Sequence, residues 1–252
     1  MRLTDETPKD WRNLQDLVCK YLNESGYHAV SPKTIETVRG NVEVDVYVTA
    51  KNELIRTFIC ECKYWNTAVP KEKIHAFRTV VQDSGATIGI FIAKEGFQSG
   101  AIEAARCSNV LLKDWDGFLE LIREQWIFHQ LLRLKHITRP LSVYTDFLDV
   151  PLDQLEDAKK KQYMDYLQKY LRTYIFSREI SKTKLQQDKI EGCNTVFSSC
   201  RELFDFLEKE CTEAVEAFKK IFEGCSIEAY KFECGGYMML EMMEDIYNFQ
   251  LM

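Results

Sequence analysis

An alternation of apolar and charged side chains between residues 41 and 63 constrains the fold of this chain more than any other feature of its sequence. Successive side chains of a β-strand point to opposite faces of the sheet. The even positions of residues 41–50 and 54–63 are almost all apolar, whereas the odd positions carry Glu43, Asp45, Glu61 and Lys63. The pattern predicts a β-hairpin that turns at residues 51–53, with one face in the core and charges on the other.

The register of this hairpin decides which charges meet. A symmetric turn centred on Asn52 places Glu43 directly opposite Glu61, with Asp45 diagonal to it. Like charges that lie opposite each other destabilise a sheet, so a cluster of carboxylates favours a bound divalent cation. The alternative is a solvated sheet face on which Lys63 only neutralises Glu61. The residues alone leave both interpretations open.

The composition is that of a packed globular protein, since 46% of the 252 residues are hydrophobic and 29% are charged. Residues 1–10 lack the apolar run of a signal peptide and no stretch is long and apolar enough to span a membrane, so we expect a cytoplasmic protein. The nine cysteines include no C-x-x-C pair, which predicts reduced, small apolar side chains in place of a zinc site.

The charge balance is unusual for a protein that binds nucleic acid by itself. The formal net charge is −6, and residues 1–125 hold 16 basic against 18 acidic side chains. Contacts to phosphate usually require a basic surface. We therefore expect either that the basic residues of this half cluster on one face, or that a partner protein or a second copy of the chain helps to hold the substrate.

The pattern of the chain changes near residues 136–151, a stretch with two prolines and little periodicity. Before it, helical and strand patterns alternate, beginning with a helix for which Thr7 is the candidate N-cap and Gly26 the candidate terminator. After it, the pattern is mainly helical, with a short strand at residues 227–234 and a terminal helix from residue 238. We therefore predict one domain over residues 1–135 and a mainly helical domain over residues 136–252.

Several blocks in this order resemble the Mrr-type branch of the PD-(D/E)xK restriction endonuclease superfamily. They are W-R-N-L-Q-D-L-V-C-K-Y-L from Trp11, R-G-N-V-E-V-D-V-Y from Arg39, I-C-E-C-K-Y-W from Ile59, F-R-T-V-V-Q-D-S-G-A from Phe77 and V-L-L-K-D-W-D-G-F-L from Val110. The resemblance runs from residue 11 to about residue 122, a little under half of the chain. Val44 stands where the superfamily name has proline.

The resemblance implies an α/β restriction endonuclease-like domain, in which a central mixed sheet is flanked by helices. The apolar run at residues 86–93 fits a strand of that sheet, and residues 71–83 fit a crossover helix. The family pattern carries over to Asp45, Glu61 and Lys63 as catalytic residues. Asp45, Glu61 and the backbone carbonyl of Cys62 would hold Mg²⁺ or Mn²⁺. Further candidates are Gln15, Glu43 and His75.

The function implied is a metal-dependent endonuclease, with DNA favoured over RNA, used as an effector in restriction or another antiviral defence system. The two helical stripes of the C-terminal half could form an oligomer or partner interface. The second hypothesis is a catalytically silent nuclease fold that acts as a scaffold or binding module through its helical half. The intact set of Asp45, Glu61 and Lys63 favours the first.

Overall fold

The computed structural model describes residues 1–50 and 56–227, which form two compact units. One unit comprises Glu6–His129, and the other combines Met1–Asp5 with the chain from Gln130 onward. The division between the units falls within one helix, α4 (Trp115–Tyr144), and the domain boundary expected after residue 135 lies in the same helix. Pro140 suggested a break in the sequence, yet it lies within the helix, where it removes one backbone donor.

Seven strands form the β structure of the N-terminal unit within residues 6–50 and 56–129: β1 (His28–Val30), β2 (Lys33–Thr37), β3 (Gly40–Val44), β4 (Val46–Thr49), β5 (Thr57–Lys63), β6 (Ile88–Ala93) and β7 (Val110–Lys113). Five of them make a mixed sheet in the order β1-β4-β5-β6-β7, in which β1, β4 and β5 pair antiparallel and β5, β6 and β7 pair parallel. The predicted central mixed sheet is confirmed.

Helices cover the sheet of this unit. Helix α1 (Trp11–Glu24) contacts β1, β4 and β5. Parallel strands require crossover connections, and two helices provide them here. Helix α2 (Lys71–Asp83) connects β5 to β6, and helix α3 (Ser99–Ala105) connects β6 to β7. These two helices pack on each other, and a buried apolar cluster containing Ile59, Phe91, Ile74, Phe77 and Ala101 lies between them and the sheet.

Helix α1 begins three residues later than the sequence indicated. Asp10, not Thr7, is the N-cap, and its side chain accepts a hydrogen bond of 2.9 Å from the backbone N–H of Asn13. The Thr7-Pro8 pair resembled a helix start, but the Asp10 carboxylate satisfies a backbone donor of the first turn. The predicted terminator is in place, because Gly26 follows the helix with a φ of 84°.

The first strand of the predicted hairpin is divided at Asp45. Residues 40–44 leave the central sheet and pair as β3 with β2 in a separate ribbon, whereas β4 begins at Val46 and pairs with β5. As a result Val44 packs in the same apolar cluster as Tyr47 and Ile59, so the even and odd positions exchange faces across the division. The expectation that all even positions share one face is therefore wrong.

The register between β4 and β5 also differs from the one expected. Val46 pairs with Cys60 and Val48 with Phe58, a shift of two residues relative to a turn centred on Asn52. The turn residues 51–53 lie outside the described residues. Because the shift is an even number of residues, it leaves the faces of β5 unchanged.

The C-terminal unit packs the end of α4 against α5 (Asp157–Glu179) and α6 (Cys200–Ile221). Its core includes Tyr144, Tyr163, Tyr170, Leu167 and Phe218. The mainly helical character predicted for this half is confirmed over its described residues. None of the helices described is long and apolar enough to cross a membrane.

Two features of the C-terminal unit did not follow from the sequence. A hairpin of β8 (Ile190–Gly192) and β9 (Thr195–Phe197) turns at Cys193 and Asn194, both with positive φ, as two-residue hairpin turns require. The N-terminal residues also fold with this unit, since Arg2 bridges to Ser199. The strand predicted from residue 227 and the terminal helix from residue 238 lie outside the described residues, apart from Ile227, which is in no strand.

Candidate active site

The carboxyl end of β5 presents two charged side chains on either side of a buried cysteine. Cys62 is 4% exposed, while the side chains of Glu61 and Lys63 keep about a quarter of their surface in solvent. The alternation of a β-strand explains this arrangement, because Cys62 points into the core and its two neighbours point to the other face. The backbone N–H and carbonyl of Cys62 therefore lie between the two charges.

Asp45 joins this group from the division between β3 and β4. Its Oδ2 accepts a hydrogen bond of 2.7 Å from the backbone N–H of Cys62, and its Oδ1 accepts one of 2.7 Å from Nε2 of Gln15 on α1. Three separate elements thus fix the site: the division at Asp45, the end of β5, and α1. Gln15, one of the further candidates from the sequence, is thus in direct contact with Asp45.

The ammonium of Lys63 marks the point on which the oxygen atoms converge. Its Nζ contacts Oε1 of Glu61, lies 3.4 Å from the carbonyl oxygen of Cys62, and lies 3.6 Å from Oδ2 of Asp45. The three groups expected to hold a metal ion therefore surround one positive charge. Such a set can also receive a divalent cation, provided that the Lys63 ammonium moves aside.

Glu61 and Lys63 form an ion pair, but the site affects the charges of the two side chains differently. Burial, and then the nearby charge of Asp45, raise the pKa of the Glu61 carboxyl, and the opposing effects of Lys63 and Lys73 are smaller. Burial by itself lowers the pKa of Lys63, but Glu61 and Asp45 together outweigh it, so its pKa is raised above the ordinary value. Lys63 is therefore an ammonium at neutral pH, whereas Glu61 carries a charge that its surroundings disfavour.

The cysteines of β5 are not nucleophile candidates. Burial raises the pKa of both the Cys60 and the Cys62 thiol, and the nearby Asp45 carboxylate raises each further. Both thiols therefore stay protonated at neutral pH, and a protonated buried thiol is inert. Cys62 contributes to the site through its backbone only.

Two of the sequence candidates lie apart from this cluster. Glu43 is exposed on β3, where it pairs with Thr34 of the β2–β3 ribbon and not with Glu61, because the strand divides before β4 begins. His75 is exposed on α2. It lies two positions after Lys73, the lysine whose charge acts on Glu61, and two positions on a helix are about 200° apart.

Other basic residues surround the end of β5. Lys63 and Lys113 end parallel strands, and Lys94 directly follows another, so all three lie at the same edge of the sheet. Lys73 approaches from the first turn of α2 and was not among the candidates. Its position could have been inferred only from the crossover, since the helix after a parallel strand starts beside that strand's carboxyl end.

The donor set fits one class of metal ion. Among the described residues, no group of three or more His, Cys, Asp or Glu side chains lies close enough together to hold a metal. The set consists of two carboxylates and one backbone carbonyl, all oxygen donors, which Mg²⁺ and Mn²⁺ prefer and which do not suit zinc. The residues present fit the expected cofactor in chemistry, with further ligands left to water and substrate.

The fold and this arrangement define a restriction endonuclease-like α/β domain. Residues 8–122 match the family model Mrr_cat, described as restriction endonuclease, which confirms the resemblance to the Mrr-type branch over this segment. No curated protein matches the chain. Among solved structures, the crystal structure of a protein of unknown function, AF1548, is 17% identical with a TM-score of 0.40, covering 85% of this chain and 100% of its own. The match over residues 8–122 supports a restriction endonuclease-like nuclease.

Proposed function

We propose that the protein is a metal-dependent endonuclease that hydrolyses phosphodiester bonds of nucleic acid at Asp45, Glu61 and Lys63. The observation that carries the proposal is the convergence of three oxygen donors on the Lys63 ammonium. A set of oxygen atoms that already surrounds the Lys63 ammonium is also suited to bind a divalent metal ion. The match of residues 8–122 to a restriction endonuclease family supports the same reaction class.

Each group has a role in that reaction. When bound, Mg²⁺ supplies a Lewis acid at the scissile phosphate and a more acidic water. Asp45 and Glu61 would hold the ion together with the carbonyl of Cys62, and Gln15 keeps the Asp45 carboxylate in position. The Lys63 ammonium orients the attacking water and offsets the negative charge that develops on the phosphoryl oxygens.

We further propose DNA as the substrate and restriction or antiviral defence as the setting, with a second copy or a partner protein helping to hold the substrate. The restriction endonuclease description of the family model supports DNA. The slight acidic excess of the N-terminal half supports assistance in binding. The basic edge at Lys63, Lys94 and Lys113 is the part of this unit that would meet the phosphates.

The test is a cleavage assay on supercoiled plasmid and on an RNA of similar length, with Mg²⁺, with Mn²⁺ and with EDTA. We expect cleavage by the wild type only with a divalent ion, and no cleavage by Asp45→Asn, Glu61→Gln or Lys63→Met. Asp16→Asn is the matched control, because Asp16 is an exposed carboxylate of α1 on which no step of the reaction depends. Full activity of Asp45→Asn would refute the assigned site.

The alternative, a silent scaffold, predicts a different result in the same experiment. Mg²⁺ at tenfold its dissociation constant stabilises a protein by about 1.4 kcal/mol, which a melting curve detects. A scaffold without a metal site would show no such gain in any variant and no cleavage of either substrate. If the protein is the proposed nuclease, Mg²⁺ should stabilise the wild type but not the Asp45→Asn variant.

A further inference from the structure

Two tryptophans of the N-terminal unit leave large indole surfaces in solvent. Trp11 is 54% exposed and Trp65 is 37% exposed. The other two tryptophans of the chain are integrated in the structure: Trp126 is fully buried, and Trp115 stacks on Phe118 and donates a hydrogen bond to the carbonyl of Glu6. Tryptophan is enriched at binding interfaces because its indole combines a large apolar surface with a polar N–H, so the location of the exposed pair is informative.

Both exposed indoles belong to segments that carry residues of the candidate active site. Trp11 opens α1 one turn before Gln15, and residues four apart lie on the same helix face. Because Gln15 binds Asp45, Trp11 lies next to one side of the site. Trp65 follows Lys63 by two residues, on the segment that leaves β5. A hydrogen bond of 3.1 Å from Oη of Tyr64 to the carbonyl of Pro8 ties that segment to the residues before α1.

A cation accompanies each indole. The guanidinium carbon of Arg12 lies 5.0 Å from the ring centroid of Trp11, and Nζ of Lys73 lies 5.9 Å from that of Trp65. Within residues 1–50 and 56–227, neither Arg12 nor Lys73 forms an ion pair with a carboxylate. Both cations can therefore contact an anionic ligand next to a flat aromatic surface, although the charge of Lys73 also acts on Glu61 at longer range.

We propose that Trp11 with Arg12, and Trp65 with Lys73, form two stacking platforms that bind unpaired nucleotides next to the scissile phosphate. The proposal rests on the proposed function and narrows its substrate to single-stranded nucleic acid, or to duplexes with an unpaired stretch at the cut. An indole stacks only on a base whose face is accessible, and the bases of a continuous duplex are covered by their neighbours. Each cation would contact a backbone phosphate beside the stacked base.

A protein partner is the other ligand that exposed tryptophans bind. Lys73 beside Trp65 favours nucleic acid, because lysine is depleted at protein interfaces, whereas a nucleic acid offers a phosphate to each cation. The position next to a candidate phosphodiester site favours nucleic acid for a second reason, since a base stacked there fixes the adjacent phosphate. The two ligands predict different results in a binding experiment.

The experiment measures binding in EDTA with the full-length Asp45→Asn protein, so that a failure of cleavage does not affect it. The probes are a fluorescent 20-nucleotide DNA of mixed sequence, the same DNA as a blunt duplex, and the corresponding single-stranded RNA. We expect the single-stranded probes to bind at least tenfold more tightly than the duplex, and to quench the tryptophan fluorescence of the protein. Comparison of the single-stranded DNA with the single-stranded RNA shows which of the two the protein binds more tightly.

The variants identify the platforms. Removing an aromatic side chain that stacks on a base typically weakens binding by about 5- to 150-fold, so Trp11→Ala and Trp65→Ala should each weaken single-strand binding about tenfold. Trp65→Tyr should restore most of it, because tyrosine keeps a stacking face. Lys73→Met should reduce the slope of log affinity against log salt by about 0.7, the value for one phosphate contact on a single strand. Phe147→Ala, which removes another half-exposed ring, is the control and should change nothing.

Three results would overturn the proposal. The first is a duplex that binds as tightly as the single strand. The second is an unchanged affinity of both tryptophan variants whose melting curves match the parent. The third is self-association of the parent protein, seen by sedimentation, that both substitutions abolish without any effect on oligonucleotide binding, because the indoles would then form a protein interface.

Discussion

The backbone N–H of Cys62 donates a hydrogen bond of 2.7 Å to Oδ2 of Asp45, at the point where the chain has left β3 and not yet entered β4. Asp45 itself belongs to no strand, so strand pairing does not hold it in place. The carboxylate is instead held by β5 through Cys62 and by α1 through Gln15. These donors give Asp45 a structural role in addition to the proposed role in metal binding.

That double role predicts different effects of neutralising the two carboxylates. Asp45→Asn keeps one acceptor oxygen for two donors, so the free energy of unfolding in EDTA at pH 7 should fall by about 1–2 kcal/mol. Glu61→Gln removes a charge whose burial is unfavourable, so the same free energy should stay unchanged or rise. Urea unfolding measures both, with Asp16→Asn as the control. Equal losses in the two variants would contradict this account.

The raised pKa of Glu61 predicts how stability depends on pH without metal. Below the ordinary value of 4.5 the carboxyl is protonated in both the folded and the unfolded state. As the pH rises from there, Glu61 releases its proton first in the unfolded chain. The free energy of unfolding of the wild type therefore falls until the pH has passed the pKa of Glu61 in the folded state. Glu61→Gln should not show this loss. Denaturation midpoints of both proteins from pH 4 to pH 8 in EDTA test this, and parallel curves would rule out the unfavourable charge.

Gln15 should act as a positioning residue. Gln15→Ala removes the donor on Oδ1 of Asp45, and partners of this kind typically change metal affinity or activity by about 10–100-fold. We expect a higher Mg²⁺ concentration for half-maximal cleavage and a lower rate at saturation, with little change in oligonucleotide binding. Gln82→Ala, at an exposed glutamine of α2, is the matched control. A normal Mg²⁺ dependence in Gln15→Ala would remove Gln15 from the site.

His75 should not be required for cleavage. The side chain is exposed on α2, about 200° around the helix from Lys73, which acts on Glu61. His75→Ala should therefore keep a cleavage rate within about twofold of the wild type, and its pH profile should be unchanged. A rate reduced by tenfold or more, with an intact melting curve, would show that the histidine reaches the substrate.

The local pattern of β5 could be predicted from the sequence because it depends only on the alternation of side chains. Glu61 and Lys63 share one face and Cys62 points into the core, as the pattern indicated. The alternation also predicted a single long strand before the turn, and there it failed. Valines continue at every even position through the division at Asp45, so the apolar pattern has the same appearance whether the strand continues or changes sheets.

The long-range relationships could not be obtained from the pattern. The register of β4 on β5 depends on the length of the turn, and a shift of two residues leaves the alternation of both strands intact. The pairing of β3 with β2 removed Glu43 from the site for a reason that lies in residues 33–37. Gln15 was a candidate from the sequence, but only the packing of α1 on the sheet brings its amide to Asp45.

The division at Asp45 also couples the assembly of the candidate site to the completion of folding. The two carboxylates come from segments that meet only after β4 has paired with β5, and the Asp45 carboxylate acquires its second donor only when α1 has docked. A nascent or partly unfolded chain therefore holds all the reactive groups but not their arrangement. The proposed nuclease would therefore become active only once the segments that carry its site have folded together.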